Sequence, residues 1–133
     1  MTRVVRMMAV LAAMGVAAGT AVAARPAAVR AEAAAFHLHL LRSSPAADST
    51  VASPPVVQLW FTESPQVAVT SVRMTGPNDA AVRLGRVRAG AEHSVVANVQ
   101  GRLAPGHYVI SWRTMSRDGH PMRGTIPFTV AAR

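Results

Sequence analysis

His107-Tyr108-Val109-Ile110-Ser111-Trp112-Arg113-Thr114-Met115 is the stretch on which the fold turns. Tyr108, Ile110 and Trp112 share one side of an extended chain, and Val109, Ser111 and Arg113 share the other. Successive side chains of a strand point to opposite faces, so this run reads as a strand with one face in a core. Leu103-Ala104-Pro105-Gly106 ahead of it is turn chemistry, and Asp118-Gly119 behind it marks another turn. Gly124 to Val130 repeats the pattern, with Ile126, Phe128 and Val130 on one face. Pro127 has no N–H to give a ladder, which places that strand at an edge or at a bulge.

Upstream the same punctuation recurs. Val57, Leu59 and Phe61 alternate with Val56, Gln58, Trp60 and Thr62, predicting a strand over Val56 to Glu63. Leu38 to Arg42, Val67 to Met74, Ala81 to Val87 and His93 to Val99 are further candidates, separated by proline, glycine and Asx-rich turns. No stretch shows sustained helical periodicity and no internal repeat is evident. About seven short strands at regular spacing indicate an antiparallel sandwich or barrel.

The N-terminus has a different character. Met1-Thr2-Arg3-Val4-Val5-Arg6 is basic, Met7 to about Val16 is apolar, and small residues follow to Ala23. This is the pattern of a secretory signal, predicting a leader within residues 1–35 and a periplasmic or secreted domain over 36–133. A retained membrane anchor is the alternative, disfavoured because a spanning helix needs about twenty apolar residues, more than this run supplies. Ala21-Val22-Ala23 and Ala33-Ala34-Ala35 are both cleavage motifs. The chain has no cysteine, which excludes disulfides, thiolate metal sites and cysteine nucleophiles. From Phe36 onward there are ten arginines against five carboxylates, a net charge of +5. The arginines are dispersed along the sequence and aromatics are few, so nucleic-acid binding is not expected; an anionic surface or acidic partner stays open.

Histidine and aspartate carry the chemistry. His37 and His39, two apart on an extended segment, point to one side. A free α-amine close to imidazole is a strong donor set for Cu(II), which favours nitrogen and oxygen ligands. Asp118 and His120, in Asp118-Gly119-His120-Pro121, can offer a carboxylate oxygen and an imidazole nitrogen to one ion; the plainer reading is a hairpin turn. Glu63 is either a solvated strand-end carboxylate, a weak axial ligand, or an acceptor for an imidazole N–H. His93 and His107 have no partner in sequence and read as surface residues. Met74, Met115 and Met122 are dispersed and read as core filling.

Three ordered motifs resemble the CopC copper-resistance family (CopC/YobA-like). They are His39-Leu40-Leu41-Arg42-Ser43-Ser44-Pro45-Ala46-Ala47, Leu59-Trp60-Phe61-Thr62-Glu63, and Leu103 to Arg113 continued by Ser116-Arg117-Asp118-Gly119-His120-Pro121 and Gly124-Thr125. The resemblance implies an Ig-like antiparallel β-sandwich or Greek-key barrel that is periplasmic, binds copper and performs no catalysis. It implies one Cu(II) per protein, held by His37 through amine and imidazole and by Asp118 and His120, with Glu63 near the metal. His39 is the reserve ligand. The methionine-rich loop that holds Cu(I) in some members is missing, so no Cu(I) site is expected. The implied role is copper resistance or homeostasis, buffering the ion or passing it, as a monomer, to a CopD-like membrane permease.

One residue departs from the family pattern. Phe36 stands where members have alanine, just before the N-terminal histidine. Cleavage after Ala35 leaves His37 second, cleavage after Ala34 leaves it third, and cleavage after Ala23 removes the amine from the site. Two readings from other classes compete with a copper carrier. A histidine-brace copper oxidase or monooxygenase uses a similar ligand pair, but few aromatics are available for a substrate platform. A metal-free Ig-like interaction module would make the histidines incidental.

Overall fold

A computed structural model describes residues 37–132. The predicted leader, both predicted cleavage motifs and Phe36 lie outside the described residues. Among the described residues nine strands form two sheets. They are β1 (Leu40–Ser44), β2 (Thr50–Val51), β3 (Val56–Phe61), β4 (Ser71–Thr75), β5 (Ala81–Val82), β6 (Arg88–Gly90), β7 (Ser94–Asn98), β8 (Gly106–Met115) and β9 (Pro121–Val130). One sheet has the order β1-β3-β7-β6, the other β2-β9-β8-β4-β5.

The alternating runs do what their pattern dictates. Val57, Leu59 and Phe61 of β3 face Tyr108, Ile110 and Trp112 of β8 and Ile126, Phe128 and Val130 of β9 across the core, and all nine are buried. Phe61 meets Trp112 edge-on at 5.3 Å between ring centroids, joining the two sheets, and Tyr108 stacks on Phe128 at 5.6 Å. Each such ring contributes roughly 1.5–3 kcal/mol by leaving water. Gly124 stands opposite Trp112 in the β8–β9 register. A Cβ there would come within 2.8 Å of the indole, so only glycine leaves room for it. Among the described residues the buried Trp112 Nε1 finds no acceptor, which costs about 1–3 kcal/mol against the packing gain. Trp60, on the opposite face of β3, is half-buried under the Arg42 guanidinium, 4.1 Å from its ring.

The architecture is a sandwich and not a closed barrel, and it departs from about seven short antiparallel strands in identifiable places. β8 and β9 are ten residues each and pair over their full length. β2 has two residues, too few for a periodic signal, and it runs parallel to the end of β9. Val67–Val69 is a 3-10 turn, so β4 begins only at Ser71. The Ala81 to Val87 run breaks because the chain changes sheets there: β5 pairs with β4, Leu84 makes a single bridge to Val99, and β6 joins β7 in the other sheet. Pro127 lies where β9 is an edge, just short of its pairing with β2, and its carbonyl accepts from Asp48 N–H at 2.7 Å.

Candidate metal centre

Two segments meet at one end of the sandwich. The first is the chain entering β1. Leu38 is 1% exposed and belongs to the core, so the flanking His37 and His39 are turned outward. Thr62, just past β3, pins this segment. Its hydroxyl donates to the His37 carbonyl (3.2 Å) and accepts from His39 N–H (3.0 Å), and its own N–H donates to the His39 carbonyl (2.9 Å). The second segment is the loop from Ser116 to His120 that joins β8 to β9. Ser116 is 3% exposed and organises it. Its N–H donates to the His120 carbonyl, its carbonyl accepts from Gly119 N–H, and its hydroxyl accepts from His120 N–H. Gly119 takes φ +85°, a left-handed conformation that suits glycine.

Within the loop, Asp118 is engaged through both oxygens. Oδ1 accepts a short bond from the Ser116 hydroxyl, and Oδ2 accepts from His120 Nδ1 at 2.7 Å. These two bonds, Ser116 first, lower the Asp118 pKa from 3.8 to about 2. An ionised carboxylate can only accept, so His120 Nδ1 carries the proton. With the proton on Nδ1, the neutral form of the ring carries its lone pair on Nε2, the arrangement that readies an imidazole for a metal.

His37 and His120 come together, their ring centroids 6.2 Å apart and their planes at 83°. A ring nitrogen sits about 2.0–2.1 Å from a bound first-row metal, putting the ring centroid roughly 3.2 Å away. Two rings on one ion thus have centroids at most about 6.4 Å apart, so a centroid separation of 6.2 Å is within the reach of a single ion with its imidazoles on opposite sides. His39 is exposed, held by its main chain. Glu63 follows Thr62 and is half-buried, with no side-chain hydrogen bond or ion pair among the described residues. No group of three or more histidine and carboxylate side chains among the described residues is gathered tightly enough to enclose an ion.

His93 and His107 are exposed, bonded to Ser64 (2.7 Å) and Thr129 (3.0 Å) respectively. Met74 is buried in the core, while Met115 and Met122 are half-buried on β8 and β9. Sequence reasoning missed Thr62 and Ser116. Ser116-x-Asp118 is a recognisable hydroxyl–carboxylate turn spacing; nothing around Thr62 announces its role.

The CopC domain model matches residues 40–131, most of the chain. The chain belongs to the CopC family. Copper resistance protein C of Escherichia coli is 35% identical over 102 residues, covering 71% of this chain and 81% of that protein. The crystal structure of PcoC, a methionine-rich copper resistance protein from Escherichia coli, superimposes with a TM-score of 0.66 at 35% identity, covering 71% of this chain and 99% of that one. Copper transport protein CutJ of Bacillus subtilis is 26% identical over 97 residues, which are 71% of this chain but only 18% of that protein. The matched span holds every strand from β1 to β9 and the loop carrying Asp118 and His120, and the His37–His39 segment lies just ahead of it.

Proposed function

We propose that this CopC domain is an exported carrier that binds one Cu(II) between His37 and His120 and delivers it to a membrane copper permease. The observation that carries the reading is the approach of the two rings to 6.2 Å, with Asp118 fixing the His120 tautomer. Cu(II) favours imidazole and oxygen donors in tetragonal geometry. His37 and His120 supply the two imidazoles, and the N-terminal amine adds a third nitrogen if processing exposes it near His37. Asp118 aims His120 through Oδ2; direct ligation by that carboxylate would require it to release the ring N–H. In this reading Glu63, next to Thr62 in the chain, is the candidate axial ligand and His39, whose main chain bonds to Thr62, is the substitute.

The role is carriage without catalysis: the ion enters and leaves an exposed site. Transfer to a permease is supported by CutJ, a copper transport protein in which the matching stretch is a small part of a longer chain. Export to the periplasm follows from the leader pattern within residues 1–35. The test is Cu(II) titration of the processed protein, its mature N-terminus established by intact mass, followed by electron paramagnetic resonance. One Cu(II) with nitrogen-dominated hyperfine structure is expected. An unchanged spectrum and affinity in His120→Ala would refute the assignment.

A further inference from the structure

Three arginines that are dispersed in the sequence stand together on the solvent face of the five-stranded sheet. Arg113 on β8 is in register with Arg123 on β9 and with Ser71 on β4. One rung further along the same face, Arg73 lies opposite Ser111, which lies opposite Thr125. These six exposed residues line one shallow cavity of about 590 Å³, and no carboxylate does. Like charges directly opposite each other on neighbouring strands destabilise a sheet. Arg42 is neutralised by Glu92 at 3.0 Å, but among the described residues no carboxylate pairs with Arg73, Arg113 or Arg123. The sheet thus keeps a repulsive trio that an external anion would relieve.

The dimensions select the anion. Three strands are about 10 Å across and alternate residues on a strand are about 7 Å apart, a footprint wider than one carboxylate or phosphate group. Along an extended peptide, acids at alternate positions repeat at that same interval. Guanidinium forks take carboxylates and phosphates alike, so the spacing and not the fork selects a peptide; the hydroxyls of Ser71, Ser111 and Thr125 offer further donors between the arginines. A lipid surface fits less well, since the exposed large apolar residues Leu41 and Val69 do not line the cavity. We propose that this face docks an extended, carboxylate-rich segment of a partner protein. Arg113 and Arg123 pair two rungs before Met115 and Pro121, where the loop carrying Asp118 and His120 begins. A partner seated here lies beside the metal loop. That it exchanges copper rests on the carrier reading above; the docking does not.

The test is fluorescence anisotropy of a labelled peptide of alternating glutamate and alanine at low salt. The Arg73→Gln, Arg113→Gln, Arg123→Gln triple variant should bind roughly tenfold more weakly, as the loss of three exposed ion pairs implies. A control with Arg83, Arg88 and Arg102 changed to glutamine carries the same net charge and should shift by no more than about twofold. Equal weakening in both variants would overturn the proposal, because only net charge would then matter. Selective loss of binding to phosphatidylglycerol vesicles, with peptide binding unchanged, would overturn it in favour of a lipid. The triple variant should keep its Cu(II) stoichiometry; losing it would mean that the arginines support the metal loop, and would also overturn the proposal. If the unaltered chain bound no Cu(II), the carrier reading would fail while the peptide result stood.

Discussion

Replacing Asp118 separates aiming a ligand from being one. Asp118→Ala removes the acceptor on His120 Nδ1 and the acceptor of the Ser116 hydroxyl together. The His120 ring is then free to rotate and to take either tautomer, and removing such an outer acceptor lowers metal affinity about 10–100-fold. That range is roughly 1.4–2.7 kcal/mol of binding free energy. Asp118→Asn is milder. Its amide oxygen can still accept from Nδ1 and only the charge is lost, and charge-assisted bonds are about twice as strong as neutral ones. The alanine variant should therefore fall near the hundredfold end and the asparagine variant near about tenfold. The assay is competition for Cu(II) against a coloured chelator, with both variants purified to the same mature N-terminus. If Asp118→Ala changed affinity by less than about twofold, the aiming role would be refuted. If the two variants were equally damaged and both altered the copper hyperfine splitting, the carboxylate would be a direct ligand instead.

Leu38→Ala should couple stability to binding. Emptying that buried position costs about 2–5 kcal/mol and loosens the segment that presents His37, so the melting temperature and Cu(II) affinity should drop together; intact affinity in a folded variant would show that Leu38 does not seat His37. Gly124→Ala should cost about 1–3 kcal/mol through overpacking against the Trp112 ring, a fall of several degrees in melting temperature, with the Cu(II) spectrum retained. The Asp118 carboxyl, followed by carbon NMR, should titrate near 2, and Ser116→Ala should move its midpoint up toward 3.8 because the Ser116 bond is the largest cause of the shift. Since the folded pKa lies below the unfolded one, the carboxylate's contribution to stability is present above about pH 4 and is lost as the pH falls toward 2.

The inner faces of β3, β8 and β9 were legible because alternation over six or more residues has no other reading. Short pieces were not: β2 takes its place from β9, and the break after Val82 comes from the chain changing sheets, neither of which leaves a periodic trace. Asp118 and His120 were readable as a local pair because they share one turn. The meeting of His37 with His120 was expected only through the family resemblance, since the residues between them say nothing of which sheet ends adjoin. Thr62 and the gathering of Arg73, Arg113 and Arg123 are products of register. Read along the chain, those arginines looked dispersed, and strand pairing assembled them.

The central claim is that His37 and His120 share one Cu(II). Electron spin echo envelope modulation on the processed, copper-loaded protein counts the imidazoles bound to the ion. The count should be two, falling to one in His120→Gln. A count that stayed at two in His120→Gln, or a loaded parent protein with no bound imidazole, would contradict the account.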